Sequence, residues 1–418
     1  MFRFALGGDI ILSRRVTGIP SIRQLSEVIQ ACDVGFGNVE TPIIERKTAA
    51  SGTQSGGWLY ASRGLVNDLH NIGINIVSLA NNHLLDWGLE GARDTQEALE
   101  THGIVHAGFG ENLAEASTPR FYDTGPVRIG LVAATTTFSD EQRAGSQRGD
   151  VLGRPGINGI GHSIRCKVKM ADYEVLKNLG ETLEIGHALS TNRLFYAGME
   201  YESSDGYGIE TMIDPEDAKR ILDAVELSSL HADFTILSLH THEISFADWE
   251  SPPEFLVSLC RQAVERGATM VVCHGTHVLR GVEIHQGCPI FYGLGNLFFN
   301  DLALVQPAER YREFNLIDDA GPLALAKAIR QAREFEEDMF WEGLMATVNI
   351  DHKSSSIKLF ALDLHGDHPV RHGLPTIAQG DKQARILERV ARLSEALGGP
   401  PIRIPPTGPA VINTYDTR

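Results

Sequence analysis

Cysteine is scarce here and carries no pattern: Cys32, Cys166, Cys260, Cys273 and Cys288 are scattered over 418 residues without a CxxC spacing. An odd, unpatterned set excludes a disulfide framework and a zinc knuckle, and it fits a reducing compartment. Long hydrophobic runs are missing too. No stretch approaches the roughly 20 apolar residues that span a bilayer, and the opening Met1-Phe2-Arg3-Phe4-Ala5-Leu6 holds neither a charged leader nor an apolar signal core. The expectation is a cytoplasmic protein with no membrane partner. Positive charge is also in deficit, with 37 Lys and Arg against 54 Asp and Glu for a formal net charge of −17. Such a field repels polyanions at long range, so nucleic acid is not an expected partner. Short-range pairing follows local geometry instead. Adjacent Arg14 and Arg15 are either a solvated surface pair or substrate-binding groups that hold a carboxylate.

A hydrophobic fraction of 42% over this length supports a large core, in one sandwich with insertions or in two or three units. The first third alternates short apolar runs with amphipathic stretches, the α/β pattern of βαβ units around a parallel or mixed sheet. Predicted strands are 2–7, 34–39, 74–79 and 127–134. Between them lie helices carried by Ile22, Leu25, Val28 and Ile29 behind a Ser21 cap, by Leu65, Leu69 and Ile72, and by Leu89, Ala92, Ala98 and Leu99 up to Gly103. Regularity weakens from Thr135 to His231, where Gly153-Arg154-Pro155-Gly156 marks a turn, and an insertion or lid is expected at about 140–230. Asp214-Pro215 opens another helix with Ile221, Leu222 and Val225. Strands follow at 234–239, 269–273, 281–285, 289–292, 344–350 and 357–362, with a charged helical insertion, a second candidate lid, at 304–341. The organisation expected is one catalytic domain over 1–363 and a C-terminal extension over 364–418, with an extended tail beyond Leu397.

The polar residues at the predicted strand ends are the most informative feature. Asp9 follows the first strand, Asn38-Val39-Glu40 ends the second, and Asn81-Asn82-His83 follows the third. His240-Thr241-His242-Glu243 and His274-Gly275-Thr276-His277 follow two later ones. Singly, each has a plain structural explanation: a helix cap, a turn, or a satisfied edge histidine. Five such groups at five strand ends point instead to the ligand crevice of an open α/β sheet, where oxygen and imidazole donors converge on Zn, Mn or Fe.

Gly8-Asp9, Gly37-Asn38-Val39-Glu40, Ala80-Asn81-Asn82-His83 with Asp86 and Gly88, His240 with Glu243, His274 with His277, and Pro289 to Asn296 resemble, in order, the motifs of the CapA-like family. That family is associated with capsule and poly-γ-glutamate synthesis and belongs to the calcineurin-like metallophosphoesterase superfamily. The resemblance implies a four-layer αββα sandwich of calcineurin-like metallophosphoesterase type. It also implies Glu40 as a carboxylate bridging two metals, Asp9 and His277 on one metal, Asn82, His240 and His274 on the other, and His83 as general acid. The superfamily often has His two residues after its first Asp. Here that position is Ile11, so at most one tightly bound divalent metal is expected, or none.

Two enzyme readings follow, with a non-enzymatic scaffold as a third. The first is a metal-assisted hydrolase or transferase acting on a peptide or polyglutamate-like substrate. The second is a cofactor-independent peptide epimerase, as CapA-like proteins of ribosomal-peptide gene clusters are thought to be. Its proton carriers would be His83, His242 and Glu243, with Glu40 in reserve.

Overall fold

The computed structural model describes residues 1–45, 48–52, 57–245, 248–300, 306–317, 320–332, 337–351, 354–366, 368 and 370–415. Its first strand, Phe2–Leu12, is apolar on both faces. Phe4 and Leu6 enter one core, while Ala5, Ile10 and Leu12 enter another, the mark of a strand covered on both sides. It forms the middle of a nine-stranded sheet ordered Thr376–Ile377, Ser354–Asp363, Glu342–Asp351, Phe2–Leu12, Val34–Val39, Ile76–Ser78, Val105–Ala107. Asn296–Asn300 adds to Phe2–Leu12, and Ala410–Tyr415 to Ser354–Asp363.

A six-stranded sheet runs Val282–His285, Cys288–Phe291, Met270–Gly275, Phe234–Thr241, Arg128–Thr135, Arg120–Asp123. The two sheets pack face to face, with Phe4, Val34 and Phe36 of the first against Ile129, Ile236 and Val272 of the second. Outer helices close both sides. Pro20–Gln30, Gly64–Ile72 and Gly88–Thr101 bury Leu25, Leu69 and Leu99 on the large sheet. Pro215–His231 and Glu254–Glu265 bury Val225 and Leu259 on the other. The architecture is the four-layer αββα sandwich.

Several elements depart from expectation. The first helix starts at Pro20 with no side-chain cap, so proline at the first helical position, not Ser21, sets its start. Asp9 lies inside its strand, not after it. The stretch expected to be irregular contains a five-stranded sheet, ordered Gly186–Ala188, Arg193–Tyr196, Met199–Ser204, His162–Lys169, Gly208–Ile213, and the helix Met170–Leu183. Residues 364–418 add the strand Ala410–Tyr415 and the helix Gly380–Ala396, whose Ile386, Leu387 and Val390 enter the core between the sheets. Of the expected second lid, residues 304–305, 318–319 and 333–336 lie outside the described residues. The rest holds Ala308–Glu313, Pro322–Ala332 and the turn Asp338–Trp341. Among the described residues no helix is long and apolar enough to cross a membrane.

Candidate metal-binding catalytic site

Close approach of backbones builds the floor of the site. A Cβ on Gly8 would lie 1.9 Å from the Gly295 carbonyl oxygen, so only glycine lets the first strand reach this depth. Asp9 then enters the space between the sheets fully buried. Its Oδ1 accepts from Asn38 Nδ2 at 2.8 Å, and its Oδ2 accepts from the Gly275 N–H at 2.8 Å. Across from it, His240 and His274 are register partners on adjacent parallel strands, so their rings project side by side.

The His240 and His274 Nδ1 atoms are 3.0 Å apart, and Asp9 Oδ1 lies 3.6 Å and 3.2 Å from them. Donors held at about 2.0–2.2 Å around one tetrahedral ion stand roughly 3.3 Å from each other, so this triangle has the dimensions of a metal face. Ser238 Oγ, 2.8 Å from His274 Nε2, fixes that ring with Nδ1 toward Asp9. A second group joins Glu40, His242 and His277, whose donor atoms lie within 4.8 Å of one another. Asp9 links the two groups, since its Oδ2 is 3.6 Å from His277 Nδ1. His277 reaches this place from a left-handed backbone, φ 60°, and Asn296 Oδ1 lies 3.0 Å from the same ring nitrogen.

The electrostatics suit a cation. Burial alone would raise the Asp9 carboxyl, but the imidazoles of His240, His274 and His277 beside it outweigh that and hold the group well below the usual carboxylate range. Burial, reinforced by the Asp9 charge, pushes Glu40 well above that range. Burial pushes His240 down to about 4 and His242 well below its ordinary value, so both rings offer neutral lone pairs. Both Glu40 oxygens and Asn82 Nδ2 are buried without a hydrogen-bond partner among the described residues. A buried carboxylate in that state is costly unless a cation faces it. The donor set therefore fits a divalent ion that accepts mixed nitrogen and oxygen ligands, such as Mn, Zn or Fe.

The remaining predicted residues divide. Asn82 Oδ1 is 2.8 Å from His240 Nε2, a nitrogen that also stands 3.1 Å from His242 Nε2 and 3.7 Å from Glu40 Oε1. The donor atoms group Asp9 with His240 and His274, and Glu40 with His242 and His277, while Asp9 Oδ2 also stands 3.6 Å from His277 Nδ1, the pair that the resemblance implies. His83 Nδ1 lies 2.9 Å from Asp86 Oδ2, with Nε2 4.0 Å from Glu40 Oε1. Burial pushes the Asp86 carboxyl up against the pull of His83.

Glu243 belongs elsewhere. It accepts from the Thr136 hydroxyl, from Thr241 Oγ1 at 2.6 Å and from Thr137 Oγ1 at 3.3 Å, with His162 Nε2 3.6 Å away. Nor are the arginines part of the cluster. Arg15 forks onto Asp68 at 2.7 and 2.9 Å, and exposed Arg14 donates to the Val370 carbonyl at 3.4 Å.

Sequence reasoning passed over the residues that hold the ligands. Asn81 Nδ2 donates to Asn38 Oδ1 at 3.2 Å and to the Val39 carbonyl at 2.9 Å, while its Oδ1 accepts from the His83 and Leu84 N–H groups at 3.1 and 3.0 Å. Their signal was present, because Asn38, Asn81 and Asn296 each stand beside or within a ligand-bearing motif.

A four-layer sandwich with a histidine and carboxylate cluster at its strand ends defines a protein of the calcineurin-like phosphoesterase fold. The chain belongs to the bacterial capsule synthesis protein family PGA_cap, whose profile matches residues 3–301. It is 31% identical over 417 residues, 95% of this chain and 90% of the other, to the uncharacterized protein y4sH of Sinorhizobium fredii. It is 24% identical over 314 residues to the capsule biosynthesis protein CapA of Bacillus anthracis, covering 72% of this chain and 62% of that one. A probable polyglutamine synthesis accessory protein of Mycobacterium tuberculosis matches at 24% over 229 residues, 53% of this chain and 44% of the other.

Proposed function

We propose that the protein is a metal-assisted hydrolase or transferase acting on a peptide or polyglutamate-like chain. The observation that carries this reading is Glu40, a fully buried carboxylate whose two oxygens lack hydrogen-bond partners among the described residues, with Oε1 facing the imidazoles of His240 and His83. A divalent ion held there by Asp9, Glu40 and the histidines would polarise a phosphoryl or acyl oxygen and make a water molecule more acidic. Asn82 offers an amide oxygen to the same space. His83, held by Asp86 through Nδ1, would act as its imidazolium, giving the Nε2 proton to the leaving group and keeping the Nδ1 proton on its bond to Asp86. The names of the relatives, capsule biosynthesis and polyglutamine synthesis, support a polymeric peptide-like chain as substrate. Five scattered cysteines without a CxxC spacing support a cytoplasmic setting.

A second reading has its own support. His83 with its Asp86 partner and the neutral His242 are two proton carriers that need no metal, as inversion at a peptide Cα requires. Glu243, the third expected carrier, accepts hydrogen bonds from the Thr136 and Thr241 hydroxyls.

One experiment separates the readings. The full chain is incubated with bis(p-nitrophenyl) phosphate, with poly-γ-glutamate and with synthetic peptides, in oxygen-18 water and in D₂O, each with and without chelator. Hydrolysis puts heavy oxygen into product and stops with chelator. Chelator-resistant deuteration at a substrate Cα, with no heavy oxygen in any product, would overturn the hydrolase reading.

A further inference from the structure

Ile11 stands where an imidazole would complete one of two metal sites. Its side chain is buried in an apolar cluster with Val278, Phe299 and Phe340, and it has no ligand atom to give. An imidazole nonetheless arrives from a different strand end. His242, two residues beyond His240, brings a ring nitrogen within 4.8 Å of the donor atoms of Glu40 and His277.

The turn carrying His242 is held on several sides. Its N–H donates to Thr137 Oγ1 at 2.9 Å. The ring sits between those of His240 and His277, with centroids 5.0 and 5.4 Å away. Next in the chain, Glu243 is anchored by the Thr136 and Thr241 hydroxyls. The buried Arg280 guanidinium donates to the Glu243 carbonyl at 2.7 Å and to the Trp249 carbonyl at 3.0 Å. Beneath it, Gly275 has φ 113°, and a Cβ there would stand 3.0 Å from His242 Cδ2, so the backbone is cleared for this ring. Pinning a side chain from its flanks is how supporting residues orient a metal ligand.

We infer that His242 is the ligand that completes a second metal site, Glu40–His242–His277, next to Asp9–His240–His274. The inference rests on the metal-assisted reading. Each site then has three protein donors, the protein-ligand count of a catalytic metal site. The Asp9 carboxylate faces both, with Oδ1 toward His240 and His274 and Oδ2 toward His277.

Metal counting tests this without reference to turnover. The full chain is stripped with chelator, reloaded with excess Mn²⁺ or Zn²⁺, desalted and analysed for bound metal, with circular dichroism melting as the check on folding. Expected are two ions for the wild type and one for His242→Phe, which keeps a ring but no donor. His242→Asp, which restores a donor, should return the count toward two. For the Mn²⁺ form, the spin-coupled resonance of a close pair in the wild type gives way to that of an isolated ion in His242→Phe. Two ions in folded His242→Phe, or fewer than two in the wild type, would overturn the assignment. Two ions falling to one, with no hydrolysis of any ester or peptide, would uphold the ligand and sink the hydrolase reading alone.

Discussion

His83 Nδ1 lies 2.9 Å from Asp86 Oδ2, and this bond turns Nε2 of the same ring toward Glu40, 4.0 Å away. Asp86 also accepts from the Leu59 N–H at 2.7 Å, so its carboxylate is fixed before it fixes the histidine. A carboxylate in this place keeps the proton on Nδ1 and sets the ring angle. Asp86→Asn retains the shape but can present its NH₂ to the ring and select the other tautomer. Turnover on whichever of the proposed probes the wild type hydrolyses should fall about 10²-fold or more, the scale of general acid–base catalysis, with KM little changed. Melting should stay near wild type. Wild-type kcat in Asp86→Asn would remove His83 from the proton-transfer step.

Arg15 has a structural task. Its guanidinium and the N–H of Val16 converge with the Thr17 hydroxyl on Asp68, which is 1% exposed. Burial pushes the Asp68 carboxyl up, yet Arg15, Thr17 and the Val16 N–H outweigh it and hold the group below its ordinary value. A depressed folded value means that the native state binds fewer protons than the unfolded chain. The stabilisation is complete above the unfolded value of about 3.9 and is lost as pH falls through the folded one. Asp68→Asn should cost about 1–3 kcal/mol at pH 7, toward the lower end because the Arg15 side chain is 49% exposed. Urea melts should show the gap to wild type narrowing below about pH 4. Arg15→Ala with unchanged KM would confirm that the pair anchors the first helix and not the substrate.

The α/β pattern and the polar residues at the strand ends were legible because apolar runs broken by Asp, Asn and His survive in one dimension, and the four-layer sandwich followed from the resemblance of those motifs to the CapA-like family. The grouping of those residues was not. That His240 and His274 share a face with Asp9 follows from the parallel register between their strands, which no local spacing reveals. His242 and Glu243 were read as one cluster, although successive side chains on an extended chain point to opposite sides. That period sends His242 toward His240 and Glu243 toward the threonines. Asp68 is 53 residues from Arg15, beyond the reach of any periodicity. In the insertion, Ile164, Cys166 and Val168 alternate with Arg165, Lys167 and Lys169 over His162–Lys169. The alternation marks a strand, but burial does not follow it, since Ile164 is exposed while Arg165 is half-buried against Glu200.

The C-terminal segment should be needed for folding. Ile386, Leu387, Val390 and Ile412 are buried between the sheets, and at about 1.5–3 kcal/mol each they contribute roughly 6–12 kcal/mol. That is comparable to the whole stability of a typical domain, about 5–15 kcal/mol. Glu342, fully buried, also faces Arg385 and Arg389 at 2.7 Å each and would lose both. A chain ending at residue 379 is therefore expected to be recovered as aggregate. Soluble, cooperatively melting protein of that length would show the segment to be an appendage.

Glu40 sets stability against function. Its carboxylate is buried near the charges of Asp9 and Asp86, and its oxygens have no hydrogen-bond partner among the described residues, so without a metal the native state carries an uncompensated group. Glu40→Gln keeps the volume and removes the charge. In chelator the variant should be more stable than wild type by about 1–2 kcal/mol, the usual gain when a functional strain is relieved. Added metal should reverse the order. A ligand at 100 times its dissociation constant stabilises the state that binds it by about 2.7 kcal/mol, and the wild type should receive that gain while the variant, short of one charged ligand, receives less. Melting curves of both proteins with chelator and with Mn²⁺ should therefore cross. If Glu40→Gln is the less stable protein in chelator, the carboxylate has a partner in the metal-free fold. If metal raises both melting temperatures equally, Glu40 is not a ligand.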